Sequence, residues 1–165
     1  SNLPYAITSP LLFRVLELDP PPVRIVVTVQ KEVADRLAAD PGSGEYGALT
    51  VGVRARATVR RAFDVSRNAF RPSPDVESTT VVLEPDPERI RGLPAGALRR
   101  LTRAAFSRRR KQLQKILRSA PEFGLDREEA EKLLRSVAAE PRHRPERLSP
   151  EQFVELARRL GPGAG

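Results

Sequence analysis

EPDPERIRGLPAG, residues 84–96, is where the chain changes texture. Three prolines and two glycines in thirteen residues deny this stretch both a helix interior and a central strand. Before it, short β-branched runs alternate with helical spacings. Beyond it, the periodicity is helical throughout. Strands mixed with helices, then helices alone, predict an α/β unit over residues 1–88 followed by a small all-helical unit over 89–165.

Working back from the linker, TTVVLEP (79–85) reads as a strand that Pro85 and Pro87 end. YGALTVGVRARATVRRAFDV (46–65) fits a helix to about Ala57 and then a strand over 58–65. KEVADRLAAD (31–40) places apolar residues at 33, 34, 37 and 38, a helical spacing closed by PGSG. RIVVTVQ (24–30) is a β-branched run expected to form a buried strand. SPLLFRVLEL (9–18) predicts a helix with Ser9 as N-cap and Pro10 in the first helical position. Three strands are few for an independent α/β domain, so this unit reads as the second half of a larger fold. Forward from the linker, helices are expected over 96–119, 126–139 and 149–160, with Asp126 and Ser149 as caps.

Composition narrows the chemistry. A hydrophobic content of 39% supports a packed core despite 16 prolines. Without cysteine there is no disulfide, thiol nucleophile or thiolate-bound zinc. No apolar run approaches the roughly 20 residues of a membrane-spanning helix, and no signal peptide opens the sequence, so a cytoplasmic protein without a membrane partner is expected. His143 is the only histidine and lies in a Pro/Arg-rich loop, which argues against a Ser-His-Asp triad or a histidine metal site. Glu128, Glu129 and Glu131 read as an ordinary helix surface.

The charge is concentrated. Of 29 basic residues, nine fall in RRLTRAAFSRRRKQLQKILR (99–118), which holds no acid; the remaining 20 face 21 acids. On a helical wheel Leu98, Leu101, Ala105, Leu113 and Ile116 share one side. Arg99, Arg100, Arg103, Arg110, Lys111, Lys115 and Arg118 cover the other. Arg109 falls on the apolar side and is expected to be paired or to cap a neighbouring element. Such a face suits phosphate contact, although a charge run can also be a solvated surface. Sparse aromatics (two Tyr, six Phe) favour shape and backbone recognition of folded RNA over a stacking platform.

Two further segments bear on chemistry. In Asn2-Leu3-Pro4-Tyr5, the Asn2 amide oxygen and the Pro4 carbonyl could accept hydrogen bonds from an exocyclic amine. They would aim the nitrogen lone pair at a methyl donor while the Tyr5 ring stacks on the base, worth roughly 1–3 kcal/mol. A proline turn with a buried tyrosine is the competing reading. In AFRPSPDVES (69–78), two prolines stiffen a loop with Phe70 at its mouth, placed to form the other side of a base sandwich; a plain loop with Phe70 in the core competes.

Taken together, these segments resemble the ribosomal RNA adenine N6-dimethyltransferase family. NLPY matches its base-binding motif, and QKEVADRL (30–37) with YGALTV (46–51) matches the stretch after it. AFRPSPDVESTTVVLEP (69–85), AFSRRRKQL (105–113) and RPERLSPEQFVELARRL (144–160) match later family elements. The resemblance implies a Rossmann-like, S-adenosylmethionine-dependent methyltransferase domain, of which residues 1–88 are the second half. It implies that Asn2 and the Pro4 carbonyl hold the target amine, that Tyr5 and Phe70 clamp the adenine, and that Asn2 lies at the cofactor edge. Arg108, Arg109, Arg110 and Lys111 would contact RNA or support that surface.

NLPY with RRK and the final motif favours the branch that dimethylates two adjacent adenines in the 3′-terminal hairpin of small-subunit (16S) rRNA. The implied partner is the pre-30S particle, met by a monomer. Asp75 stands where the family commonly has lysine, which puts a phosphate contact there in doubt. The family's Gly-rich turn after a first strand is missing; PGSG at 41–44 falls between helices. This chain alone is therefore expected to bind no S-adenosylmethionine and to catalyse nothing, the parent being the enzyme. A non-catalytic RNA-binding assembly module and a large-subunit (23S) methyltransferase are the alternatives.

Overall fold

The computed structural model describes residues 7–161. Asn2, Pro4 and Tyr5 lie outside them. The elements run α1 (Thr8–Leu16), β1 (Ile25–Gln30), α2 (Lys31–Ala38), α3 (Ala48–Arg54), β2 (Ala57–Val65), β3 (Ser78–Pro85), α4 (Ala97–Ser107), α5 (Leu113–Ser119), α6 (Arg127–Ser136) and α7 (Pro150–Leu160). The chain is α/β, with helices alone after β3. Short 3₁₀ turns cover Arg67–Ala69, Pro87–Ile90 and Pro145–Arg147.

The three strands form one sheet in the order β1-β3-β2. Both pairings are antiparallel, so β1 and β2 run parallel to each other on either side of β3. β3 is buried from Ser78 to Leu83, as its apolar run requires of a central strand. Ile25, Val27 and Val29 alternate onto one face of β1 and meet Leu12, Leu16, Ala34, Leu37, Val53, Val81 and Leu83 in one apolar cluster. Behind the sheet, the Thr28 and Thr80 hydroxyls share a 3.0 Å hydrogen bond. A bulge between Arg61 and Phe63 shifts the register of β2 and leaves Phe63 62% exposed.

A second cluster fills the helical side. It unites Leu98, Leu101, Ala105, Leu113, Ile116, Leu134, Phe153 and Leu156 with Tyr46, Val51 and Ala55 from earlier in the chain. Tyr46 tilts against Phe106 at 6.2 Å, and Phe106 stacks on Phe153 at 5.6 Å. The caps are as expected. Asp126 and Glu129 exchange two 2.8 Å bonds, and Ser149 and Gln152 form the same reciprocal box ahead of Pro150.

Two expectations need correction. α1 starts at Thr8 with Ile7 before it, so Ser9 is not the cap and Pro10 sits deeper in the first turn. Proline is tolerated there because no amide of the first turn has an intrahelical partner. The other is larger. Residues 96–119 are not one helix: α4 ends at Ser107 and α5 begins at Leu113. Between them Lys111 N–H donates to the Arg108 carbonyl at 2.8 Å, and Leu113 N–H donates to the His143 carbonyl at 2.8 Å. A bond to a residue thirty positions away thus replaces a rung of the helical ladder. Like charges at 108 and 111, one helical turn apart, also weigh against a continuous helix.

Candidate nucleic-acid interface

Phe70 lies in the loop between β2 and β3. That loop sits at the carboxyl end of β1, since Lys31 N–H donates to the Glu77 carbonyl at 3.0 Å and Gln30 pairs with Ser78. Carboxyl ends of parallel strands are where open α/β sheets bind ligands. The loop is braced from within: Ser73 Oγ donates to the Arg67 carbonyl at 3.0 Å, and Arg67 N–H donates to Glu77 Oε2 at 3.2 Å. Phe70 is half-buried and belongs to neither apolar cluster. Asp75 is exposed on the same loop.

The basic segment separates into residues that hold the protein together and residues that do not. Arg109 is of the first kind. Its Nη1 donates to the Gly44 carbonyl at 2.9 Å and its Nη2 to the Ser43 carbonyl at 3.1 Å. Glu146 Oε2, buried and without a hydrogen bond, lies 3.9 Å from Arg109 Nε as a purely charge contact. Arg109 is thus paired as expected, but from the turn between α4 and α5 and not from the apolar side of a continuous helix. Arg108 Nη1 donates to Ser119 Oγ at 2.7 Å, and Arg100 reaches the Ala95 and Gly161 carbonyls at 3.4 Å.

Arg99, Arg103, Arg110, Lys111 and Lys115 are exposed. Among the described residues, none has an ion pair or side-chain hydrogen bond. Their charges are left for solvent or a polyanion. Because of the break at 108–112, these cations occupy three places: Arg99 and Arg103 project from α4, Arg110 and Lys111 ride the turn after it, and Lys115 stands on α5.

Sequence reading missed two arginines that share a groove with Arg99 and Arg103. This groove, about 740 Å³, runs between α1, α3 and α4 and is lined in part by Phe13, Arg14, Glu17, Leu49, Gly52 and Arg56. Arg56 donates to the Gly52 carbonyl at 2.8 Å and lies 3.9 Å from Glu17, its side chain only 15% exposed. Burial disfavours its charged form, and Glu17 opposes that effect. Part of the signal was in the spacing: 10, 13, 14 and 17 share one side of α1, and Arg99 and Arg103 stand one turn apart on α4.

The glycine stretch 41–44 does not suit a nucleotide-type cofactor. It follows α2 and precedes α3, away from any strand end, and the Ser43 and Gly44 carbonyls are occupied by Arg109. A phosphate or carboxylate cradle needs backbone N–H groups aimed outward after a strand. The described residues offer no such fit for S-adenosylmethionine, and no chemical step is derived through it.

The family profile described as ribosomal RNA adenine dimethylase matches residues 1–160. The chain belongs to that family. Relatives include the ribosomal RNA small subunit methyltransferase A of Lactobacillus helveticus, 40% identical over 164 residues, covering 97% of this chain and 53% of the relative. The same-named protein of Bacillus cytotoxicus is 37% identical, covering 98% and 56%. That of Nitratidesulfovibrio vulgaris is 38% identical, covering 99% and 59%. The chain thus spans a little over half the length of the curated relatives it matches. Among solved structures, a dimethyladenosine transferase from Plasmodium falciparum aligns with a TM-score of 0.81 at 27% identity, over 94% of this chain and 63% of that one. The 23S rRNA methyltransferase ErmE aligns with a TM-score of 0.65 at 26% identity, over 96% and 63%. Both solved structures thus share the fold of nearly the whole of this chain.

Proposed function

We propose that this chain is the rear part of an rRNA adenine N6-dimethyltransferase. Residues 1–88 complete a Rossmann-like methyltransferase domain whose cofactor-binding front half lies outside this sequence, and residues 89–165 form the RNA-binding helical unit. The whole enzyme transfers methyl groups from S-adenosylmethionine to two adjacent adenines in the 3′-terminal hairpin of small-subunit rRNA. It works in the cytoplasm, as a monomer on the pre-30S particle. Asn2 and the Pro4 carbonyl accept the amine protons, Tyr5 and Phe70 clamp the base, and the cations of 99–115 hold the backbone. The chain by itself binds no cofactor and transfers no methyl group.

The observation that carries this reading is the position of the Phe70 loop. It is braced at the carboxyl end of β1 and outside the core, which supports a role for Phe70 in holding a flipped base. The small-subunit names of the curated relatives favour that substrate over large-subunit rRNA. To test it, the chain is joined to the front half of a relative and incubated with labelled S-adenosylmethionine and immature small subunits. Methyl incorporation into adenine, lost in Asn2→Ala, is the expected result.

A binding module without chemistry is the second reading, favoured by the five exposed cations that have no ion pair or side-chain hydrogen bond among the described residues. Stoichiometric binding of the joined protein to small subunits with no methyl incorporation would establish it in place of the first.

A further inference from the structure

The groove between α1, α3 and α4 brings four guanidinium groups, Arg14, Arg56, Arg99 and Arg103, against a single carboxylate, Glu17. Arg56 is fixed at its floor by the Gly52 carbonyl. Arg14, Arg99 and Arg103 are exposed, and among the described residues they have no ion pair or side-chain hydrogen bond. A groove built only for packing would not collect three unpaired cations around a buried fourth, since each repels the others.

We infer that this groove seats the sugar–phosphate backbone of an RNA strand, with Arg14, Arg99 and Arg103 as its phosphate contacts. Three observations select a polynucleotide over a small anion or an acidic peptide. First, the lining is mixed: Phe13 and Leu49 offer apolar surface suited to ribose and base faces, beside guanidinium groups suited to phosphate. Second, the cations are a track and not a cluster. Arg103 also lines a neighbouring hollow with Arg100, Arg108 and one carboxylate, Glu122, so an excess of positive charge continues past the groove to the end of α4. Third, Ser9 and Pro10 line one part of the groove, and Ser9 follows Tyr5 by only four residues in sequence. Four residues of chain span at most about 14 Å, so a strand held on the groove lies within that reach of the segment proposed to receive the base.

This inference rests on the RNA-binding reading above and adds α1 to the interface. The test uses the whole 165-residue chain and a fluorescein-labelled RNA hairpin with a single-stranded tail, binding being followed by anisotropy across a salt series. Each phosphate contact removed lowers the slope of log K against log salt by about 0.7–0.9. Arg14→Gln with Arg99→Gln is expected to reduce the slope by about 1.5 while the thermal midpoint stays put. An unchanged slope in that variant, alongside a reduced one in Arg110→Gln with Lys111→Gln, overturns the groove and leaves RNA binding intact. No salt-dependent binding of the hairpin by the unaltered chain overturns the RNA-binding reading itself. Displacement of the hairpin by polyglutamate as readily as by polyuridylate, charge for charge, overturns the inference in favour of an acidic protein partner.

Discussion

The Tyr46 hydroxyl donates a 2.7 Å hydrogen bond to the carbonyl of Leu148, 102 residues further along the chain. The ring is wholly buried against Phe106, and burial pushes its phenol well above the usual tyrosine range, so it stays a donor across the stable pH range. Tyr46→Phe keeps the ring and loses the bond. The expected cost is about 1–2 kcal/mol in urea unfolding. Tyr46→Ala also empties the ring's site and should cost about 3–5 kcal/mol. Equal losses in the two variants would show that the hydroxyl, and not the ring, carries the whole effect.

Arg109 clamps the 43–44 carbonyls with a forked pair of donors that lysine's single ammonium cannot reproduce. Arg109→Lys should therefore destabilise the chain by about 1–3 kcal/mol. Arg110→Lys, one position on and without an intramolecular partner among the described residues, should stay within about 0.5 kcal/mol. Calorimetric midpoints of the two variants decide it; equal shifts would contradict the division of the basic turn into structural and free cations.

Gly52 is required by contact. A Cβ there would come within 2.7 Å of Cε1 and Cζ of Phe13. Gly52→Ala should cost about 1–3 kcal/mol through overpacking, and Phe13→Leu in the same chain should recover part of it. Gly44→Ala meets nothing within 4 Å and serves as the comparison. A double variant no more stable than Gly52→Ala alone would rule out the ring as the obstacle.

Acid should weaken the fold through three carboxylates. Asp64 is held below its ordinary value by the Thr79 hydroxyl and then Arg61, Glu131 by Arg127, and Glu155 by Arg158 and Arg159. A carboxylate depressed in the folded state contributes stability above its unfolded value and loses it as pH falls through the folded one. The melting temperature should hold steady above the ordinary glutamate value of 4.5 and drop below it. In the triple variant Asp64→Asn, Glu131→Gln, Glu155→Gln that drop should be shallower; an equally steep one would place the acid sensitivity elsewhere.

Much of this fold is legible in the residues because the local signals agree with the global packing. The β-branched runs at 24–30 and 79–85, the switch from helix to strand near 55, and the caps at Asp126 and Ser149 all appear within a few positions of where spacing puts them. The helical wheel of the basic segment assigns its buried side correctly at Leu98, Leu101, Ala105, Leu113 and Ile116. It misses the break between Ser107 and Leu113, because no glycine or proline marks it. The partners that cause it, His143 and the 43–44 carbonyls, are distant in sequence. For the same reason the spacing within α1 could place Arg14 and Phe13 on one side of the helix but not show that α4 would face them.

Tyr46 also sets an order of events. In a chain made from its amino end onward, this ring emerges long before the carbonyl that accepts its hydrogen bond and before Phe153, which completes the aromatic stack behind it. Until α7 has left the ribosome, a large ring and its neighbours Val51 and Ala55 have no permanent cover. The nascent polypeptide carries that sticky surface across the 102 residues that separate Tyr46 from Leu148, and the seal closes only once α7 is made.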